Sequence, residues 1–254
     1  MPLHEAAARG YEAAAEAYER GRPGYPAEAV EALAAALRLA PGARVLDLGA
    51  GTGKLTALLA ARARPVLAVE PVAAMRRRLA GVEGAIPLGA VAEALPFRGG
   101  SLDAVAAASA FHWFDGQRAL SEIHRVLRPG GRLALLWNQR DDEVDWVARV
   151  SAVVNAREGD APRYRKGLWR AAFDAAPGLF GPLAERHFRH VHWLPREGVV
   201  DRVASISFVA ALPEPQRREV LAEVRRILDR HPDTHDRAEL SLAYRTDLFW
   251  CERG

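Results

Sequence analysis

The run Val45-Leu46-Asp47-Leu48-Gly49-Ala50-Gly51-Thr52-Gly53 constrains this chain more than any other stretch. A short apolar strand runs into alternating glycines, and a helical stripe of Leu55, Leu58 and Leu59 follows at once. A buried strand that turns sharply into a helix needs residues tolerant of positive φ, and glycine has no Cβ to clash there. The helix start then offers free backbone N–H groups and the positive end of a dipole. In open α/β sheets, ligands bind at this edge.

The alternation of strand and helix continues downstream. Apolar strands are expected over 44–48, 65–70, 85–88, 103–108 and 132–137. Helices are expected over 72–79 and around Leu120, Ile123 and Leu127, the latter closed by Pro129-Gly130-Gly131. An Ala-rich segment, 3–20, reads as a helix or helix pair, broken by Arg22-Pro23-Gly24-Tyr25-Pro26; a second helix carries Val30, Leu33 and Leu37 on one face. Strands alternating with helices argue for a parallel sheet covered on both faces. Right-handed crossovers make it doubly wound. After Arg140 the rhythm changes: helices are expected over 145–158, 165–175, 197–211 and 216–228, and strands over 185–194 and 242–252. The expected fold is α/β, a doubly wound Rossmann-like sheet, mostly parallel with an antiparallel C-terminal strand. Residues 1–254 are expected to form one domain, with residues 141–235 containing an inserted helical cap.

With 254 residues, half of them hydrophobic, the chain can bury one sizeable core. The net charge of +3 is scattered and carried by arginines, with only Lys54 and Lys166 as lysines. No dense basic run with interleaved aromatics points to nucleic acid. The single cysteine, Cys251, excludes an intrachain disulfide and a cysteine-cluster metal site. Neither a signal peptide nor a membrane span is expected, so the reading is a cytoplasmic protein.

The glycine pattern excludes the commonest alternatives. A dinucleotide fingerprint, G-x-G-x-x-G, needs glycine where Lys54 stands, and Gly53-Lys54-Leu55 lacks the Walker hydroxyl. An acid, Glu70, follows about twenty residues on at the end of the second strand, where it can bind the ribose hydroxyls of an adenosyl ligand.

Taken together, residues 45–53, Glu70-Pro71, Ala92-Glu93-Ala94-Leu95-Pro96-Phe97 and Leu127-Arg128-Pro129-Gly130-Gly131 resemble the class I S-adenosylmethionine-dependent methyltransferases. The likeness is to the small-molecule branch that includes ubiquinone/menaquinone and trans-aconitate methyltransferases, and it spans about residues 11–137. It implies that Gly49, Ala50 and Gly51 pass beneath the methionine part of S-adenosyl-L-methionine. Asp47 would hold the turn and reach the ammonium through water. Glu70, followed by Pro71, would take the ribose. Met75 would lie on the adenine or simply pack its helix. Ala92 and Glu93 would border the adenine edge, although Val91 replaces the Asp or Asn many relatives carry there. Ser109 would flank the sulfonium. Residues 1–40 would place helices over the cofactor mouth.

On the acceptor side, Phe111-His112-Trp113-Phe114-Asp115 follows the fourth strand. The Asn/Asp-Pro-Pro-Tyr motif of many amino-group methyltransferases is absent, which disfavours methylation of nucleic-acid or glutamine nitrogen. His112 is the candidate catalytic residue, either orienting an acceptor or acting as a base. Arg22, Tyr25, Trp113 and Asn138 are the further candidates for binding a small-molecule acceptor, with Arg22 suited to clamp a carboxylate. His187, His190 and His192, and the pair His231 and His235, read as core or surface histidines, so no metal is expected. The other readings are a non-catalytic protein that senses the adenosyl ligand and a nicotinamide-dependent oxidoreductase.

Overall fold

A computed structural model describes residues 22–254. The helix expected over 3–20, with Tyr18, lies outside the described residues.

Seven strands form one sheet: β1 Val45–Leu48, β2 Val66–Val69, β3 Ala85–Leu88, β4 Leu102–Ala108, β5 Leu127–Arg140, β6 Ala184–Pro195 and β7 Glu239–Glu252. Their order is β3-β2-β1-β4-β5-β7-β6. The first five strands pair in parallel, and β7 pairs antiparallel with both β5 and β6. The chain moves outward from β1 to β3, then returns to the other side of β1 as β4. That reversal splays the loops after β1 and β4 apart and opens a crevice at the carboxyl edge.

Period-two alternation packs both faces. Val105, Ala107, Leu133, Leu135 and Trp137 bury into one core with Leu120 and Ile123. Ala104, Ala106, Ala134 and Leu136 face the other, with Leu33, Leu55 and Leu59. The helices that supply these partners are α1 Ala27–Ala36, α2 Lys54–Ala60 and α4 Gly116–Val126; α3 Ala73–Leu79 links β2 to β3. Helix α4 starts where Asp115 accepts the Arg118 N–H, and it buries Ala119, Leu120, Ile123 and Val126 along one stripe. Each fully buried Leu or Ile contributes about 1.5–3 kcal/mol.

The remaining helices are α5 Asp145–Asn155, α6 Ala171–Asp174, α7 Arg196–Ala204, α8 Ser207–Ala210 and α9 Glu214–Arg230. Helices α5, α7 and α9 share a third core with Leu240, Leu242 and Tyr244 of β7. These helices therefore rest on the far end of the long antiparallel strands. Two expected helices are broken. The one at 165–175 is a 3-10 turn, Tyr164–Lys166, stopped by Gly167 at φ 72°, followed by the single turn of α6. The one at 197–211 divides at Ser205, whose hydroxyl bonds back to the Arg202 carbonyl at 2.8 Å while Ile206 turns extended. Among the described residues, no helix is long and apolar enough to cross a membrane.

Candidate functional site

The three glycines after β1 serve three different purposes. Gly49, at φ 72°, packs so tightly that a Cβ would lie 2.6 Å from that of Ala110. Gly53, at φ 92°, would meet Val82 and Leu79 at 2.7 and 2.9 Å, so it seats α2 against the loop before β3. Gly51, at φ 59°, would meet nothing within 4 Å. Its bare backbone faces open space at a turn whose neighbours are packed, which is the arrangement a closely approaching ligand needs.

Two carboxylates brace this turn. Glu70 is buried and accepts the Gly51 N–H at 2.9 Å and the Val72 N–H at 2.7 Å. Burial raises its pKa despite those bonds. Asp47 is fully buried; its Oδ2 accepts the Thr56 hydroxyl at 2.6 Å, while Oδ1 is buried without a hydrogen-bond partner. Burial, aided by the Glu70 charge, pushes its pKa up to about 7.

Three cavities meet beside this turn. An apolar one of about 230 Å³ is walled by Val69, Pro71, Ala92, Trp113 and Phe114, with Glu93 at its edge. A narrow one of about 50 Å³ runs along Asp47, Gly49, Ala50, Gly51 and Ser109. A large polar one of about 670 Å³ lies under the cap. Gly49 belongs to the first two, Ser109 to the second and third, and His112 to the first and third. Ser109, directly after β4, stands at φ 53°, an uncommon conformation for a residue with a side chain, and its N–H is fixed on the Leu136 carbonyl at 2.7 Å.

His112 stands in the wall between the apolar and polar cavities. The Trp137 indole N–H donates to its Nδ1 at 3.0 Å. Burial, and the charges of Arg163 and Arg22, hold its pKa well below the ordinary imidazole value. A neutral imidazole that accepts at Nδ1 carries its proton on Nε2.

The other expected site residues divide among these spaces. Arg22 and Asn138 line both the narrow and the polar cavities, and Tyr25 lines the narrow one. Asn138 is held at both ends of its amide: it donates to the Gly24 carbonyl at 2.9 Å and accepts the Thr246 hydroxyl at 2.6 Å. Trp113 stands on the apolar cavity, away from the polar one. Met75 is buried in α3 and lines none of the three. His187 bonds to Asp247 at 2.7 Å and His190 stacks on Tyr244, while His231 bonds to Asp145 at 2.8 Å.

Comparison with known proteins decides the family. A family model described as a methyltransferase domain matches residues 46–135. An uncharacterized methyltransferase of Mycobacterium tuberculosis is 41% identical over 91% of this chain and 90% of its own length. The chain belongs to the methyltransferase family. The demethylmenaquinone methyltransferase of Thermus thermophilus is 45% identical over a shorter span, 40% of this chain and 49% of its own. The solved structure of a putative type II methyltransferase from Anaeromyxobacter dehalogenans, 26% identical, superposes with a TM-score of 0.61 and covers 91% of this chain and 97% of that one.

Further residues of the methyltransferase join the site. Arg163, Tyr164, Trp169 and Arg202 wall the polar cavity, besides Trp137 and besides Arg140, which the sequence, like Asn138, already places after the fifth strand at the site edge. One signal was available: Arg202 is the lone charge among Val199, Val200 and Val203 on the buried side of α7. Nothing local marks the rest, because strand pairing and the cap bring them together.

Proposed function

We propose that this methyltransferase binds S-adenosyl-L-methionine and directs its methyl group to an oxygen or carbon of a small-molecule acceptor. The observation that carries the reading is the buried, unpartnered Asp47 Oδ1 beside the open Gly51 backbone, at the junction of the apolar and polar cavities. An orphaned buried acceptor is costly unless a cationic ligand group satisfies it. That suits the ammonium of the cofactor's methionine part. The apolar cavity, with Ala92 and Glu93 at its border, suits the adenine. Glu70 keeps a second lone pair on each oxygen for the ribose hydroxyls.

When bound, the cofactor supplies a methyl group already activated on a positively charged sulfur, so the protein need not provide a nucleophile. The protein's task is alignment, which contributes up to about 7–11 kcal/mol in well-oriented systems. Ser109 and Gly49 fix the passage where the cavities join, and Asn138 pins the segment bearing Arg22 over it. His112 offers an Nε2–H donor that orients the acceptor.

Calorimetric titration with S-adenosylhomocysteine, with NAD as control, tests the reading. Micromolar binding that weakens about tenfold or more in Glu70→Ala is expected, as for the loss of a charge-assisted hydrogen bond. Turnover to S-adenosylhomocysteine with an acceptor separates an enzyme from a sensor. Absence of binding in folded, ligand-free protein, or a response to NAD instead, refutes it.

A further inference from the structure

Arginines crowd the polar cavity, and three of them have acidic partners. Arg170 pairs with Glu185 at 2.9 Å and Arg245 with Asp247 at 2.7 Å, and Arg165 pairs with Glu158. Arg140 and Arg202 differ. Among the described residues, their side-chain bonds run only to neutral oxygens: Arg140 Nε to the Ser151 hydroxyl at 2.7 Å, and Arg202 Nε to the Tyr244 hydroxyl at 3.1 Å. Arg202 is 6% exposed, and its Nη1 is buried with no hydrogen-bond partner.

The two side chains reach the cavity from different elements. Arg140 ends β5 opposite Tyr244 of β7, and Arg202 comes from α7 to the same tyrosine. Their charges oppose one another and that of Arg22. Burial and this repulsion push the Arg202 pKa down to about 10, which still leaves it charged at neutral pH. Arg202 is buried beside the like charge of Arg140; Asp142 offsets the charge of Arg140 in part, and an anionic ligand relieves what remains. A guanidinium fork matches a carboxylate or a phosphate with paired N–H donors.

We propose that Arg202 and Arg140 bind a carboxylate or phosphate group of the methyl acceptor, so the acceptor is a small acid. The inference rests on the methyltransferase reading. The aromatic part of the cavity lining suits the rest of the molecule. Trp137 stacks on Tyr164 with ring centres 4.6 Å apart, and Trp169 lies 4.9 Å from Trp137. That wall takes a flat or apolar body. His112 adds a donor between this wall and the cofactor cavities.

The test uses the full chain saturated with S-adenosylhomocysteine. Benzoate, succinate and inorganic phosphate are titrated by calorimetry, beside benzamide and succinamide as neutral counterparts. The acids are expected to bind and the amides not. The carboxylates against phosphate tell which anion the fork prefers. Arg140→Met and Arg202→Met are each expected to weaken the anion roughly tenfold or more while S-adenosylhomocysteine binding is kept. Arg202→Lys, which keeps charge but loses the fork, serves if Arg202→Met does not fold, and the same loss is expected of it. Equal binding of amide and acid, or no anion binding with S-adenosylhomocysteine bound normally, overturns the proposal and spares the methyltransferase reading. Loss of S-adenosylhomocysteine binding in the Arg202 variant with anion binding intact also overturns it, since the guanidinium would then serve the cofactor. If S-adenosylhomocysteine does not bind the unaltered protein, the underlying reading fails by itself, and the anion titration of unliganded protein still judges the two arginines.

Discussion

The Trp137 indole N–H points at Nδ1 of His112 across 3.0 Å, and this single bond decides what the histidine can do. With Nδ1 accepting, the neutral ring holds its proton on Nε2 and presents a donor. His112 is therefore set to orient an acceptor; serving as a base through Nε2 would require breaking the Trp137 bond.

This arrangement is visible to NMR. In ¹⁵N-detected spectra His112 is expected to remain the neutral Nε2–H tautomer from about pH 5 to 8, a range in which an ordinary histidine titrates. Trp137→Phe removes the donor, and the His112 signals are then expected to show mixed tautomers. A His112 that protonates near its ordinary pKa in the unaltered protein would contradict the assignment.

Asp47 ties stability to pH. Its folded-state pKa of about 7 lies above the ordinary value of 3.8, with burial the chief cause. Between these values the folded protein keeps a proton that the unfolded chain has released. Excess protons on the folded side make stability fall as pH rises through that window, by up to about 4 kcal/mol over the full difference. Asp47→Asn has the same shape and no charge. Urea midpoints measured against pH are expected to fall less steeply for the variant than for the unaltered protein. Affinity for S-adenosylhomocysteine is expected to rise as pH passes upward through about 7 and to lose that rise in the variant. Parallel stability curves for the two proteins would remove Asp47 as the source.

The sheet and the glycine turn were legible because their signals are local. The residues 45–53 announce a strand, a turn and a helix within one window, and Glu70 follows at the next strand end. The polar cavity was legible only in part: Arg22, His112 and Asn138 stood among the candidates, and most of its other walls did not. Arg140 meets Tyr244, and Asn138 meets Thr246, through antiparallel register between β5 and β7, more than a hundred positions apart in the chain. Period-two patterning says that such strands exist but not how they are offset. Trp113 and His112 both border the apolar cavity, and of the two only His112 also lines the polar one, a division that the 3-10 turn at Phe111–Trp113 makes and sequence adjacency does not reveal. The break in the cap at Ser205 depends on a hydroxyl bonding back to its own helix, which apolar periodicity does not register.

Asn138 joins the segment over the site to the sheet. Its amide donates to Gly24 and its carbonyl accepts from Thr246, whose side chain is buried. Asn138→Ala leaves both without that partner and is expected to cost about 1–3 kcal/mol of stability. Because the tether holds the stretch carrying Arg22 and Tyr25, protease cleavage within residues 22–26 is expected to accelerate more than global unfolding does. Equal acceleration of the two would show that the tether has no local effect.

The alternating glycines separate folding from binding. Gly51→Ala places its Cβ in open space, so the folded state bears only the cost of positive φ, about 1–2 kcal/mol. Its Cβ, however, occupies the side from which a ligand would approach, and S-adenosylhomocysteine affinity is expected to drop at least about tenfold. Gly49→Ala meets Ala110, a side chain with no torsion to rotate away, and is expected to be the most destabilising of the series. Gly53→Ala meets the branch ends of Val82 and Leu79, which can shift, so an intermediate loss of stability is expected with binding largely retained. Denaturant midpoints and S-adenosylhomocysteine titrations on the three variants yield two orderings. If the ordering in binding merely follows the ordering in stability, Gly51 is a structural turn like its neighbours, and its open backbone does not receive the cofactor.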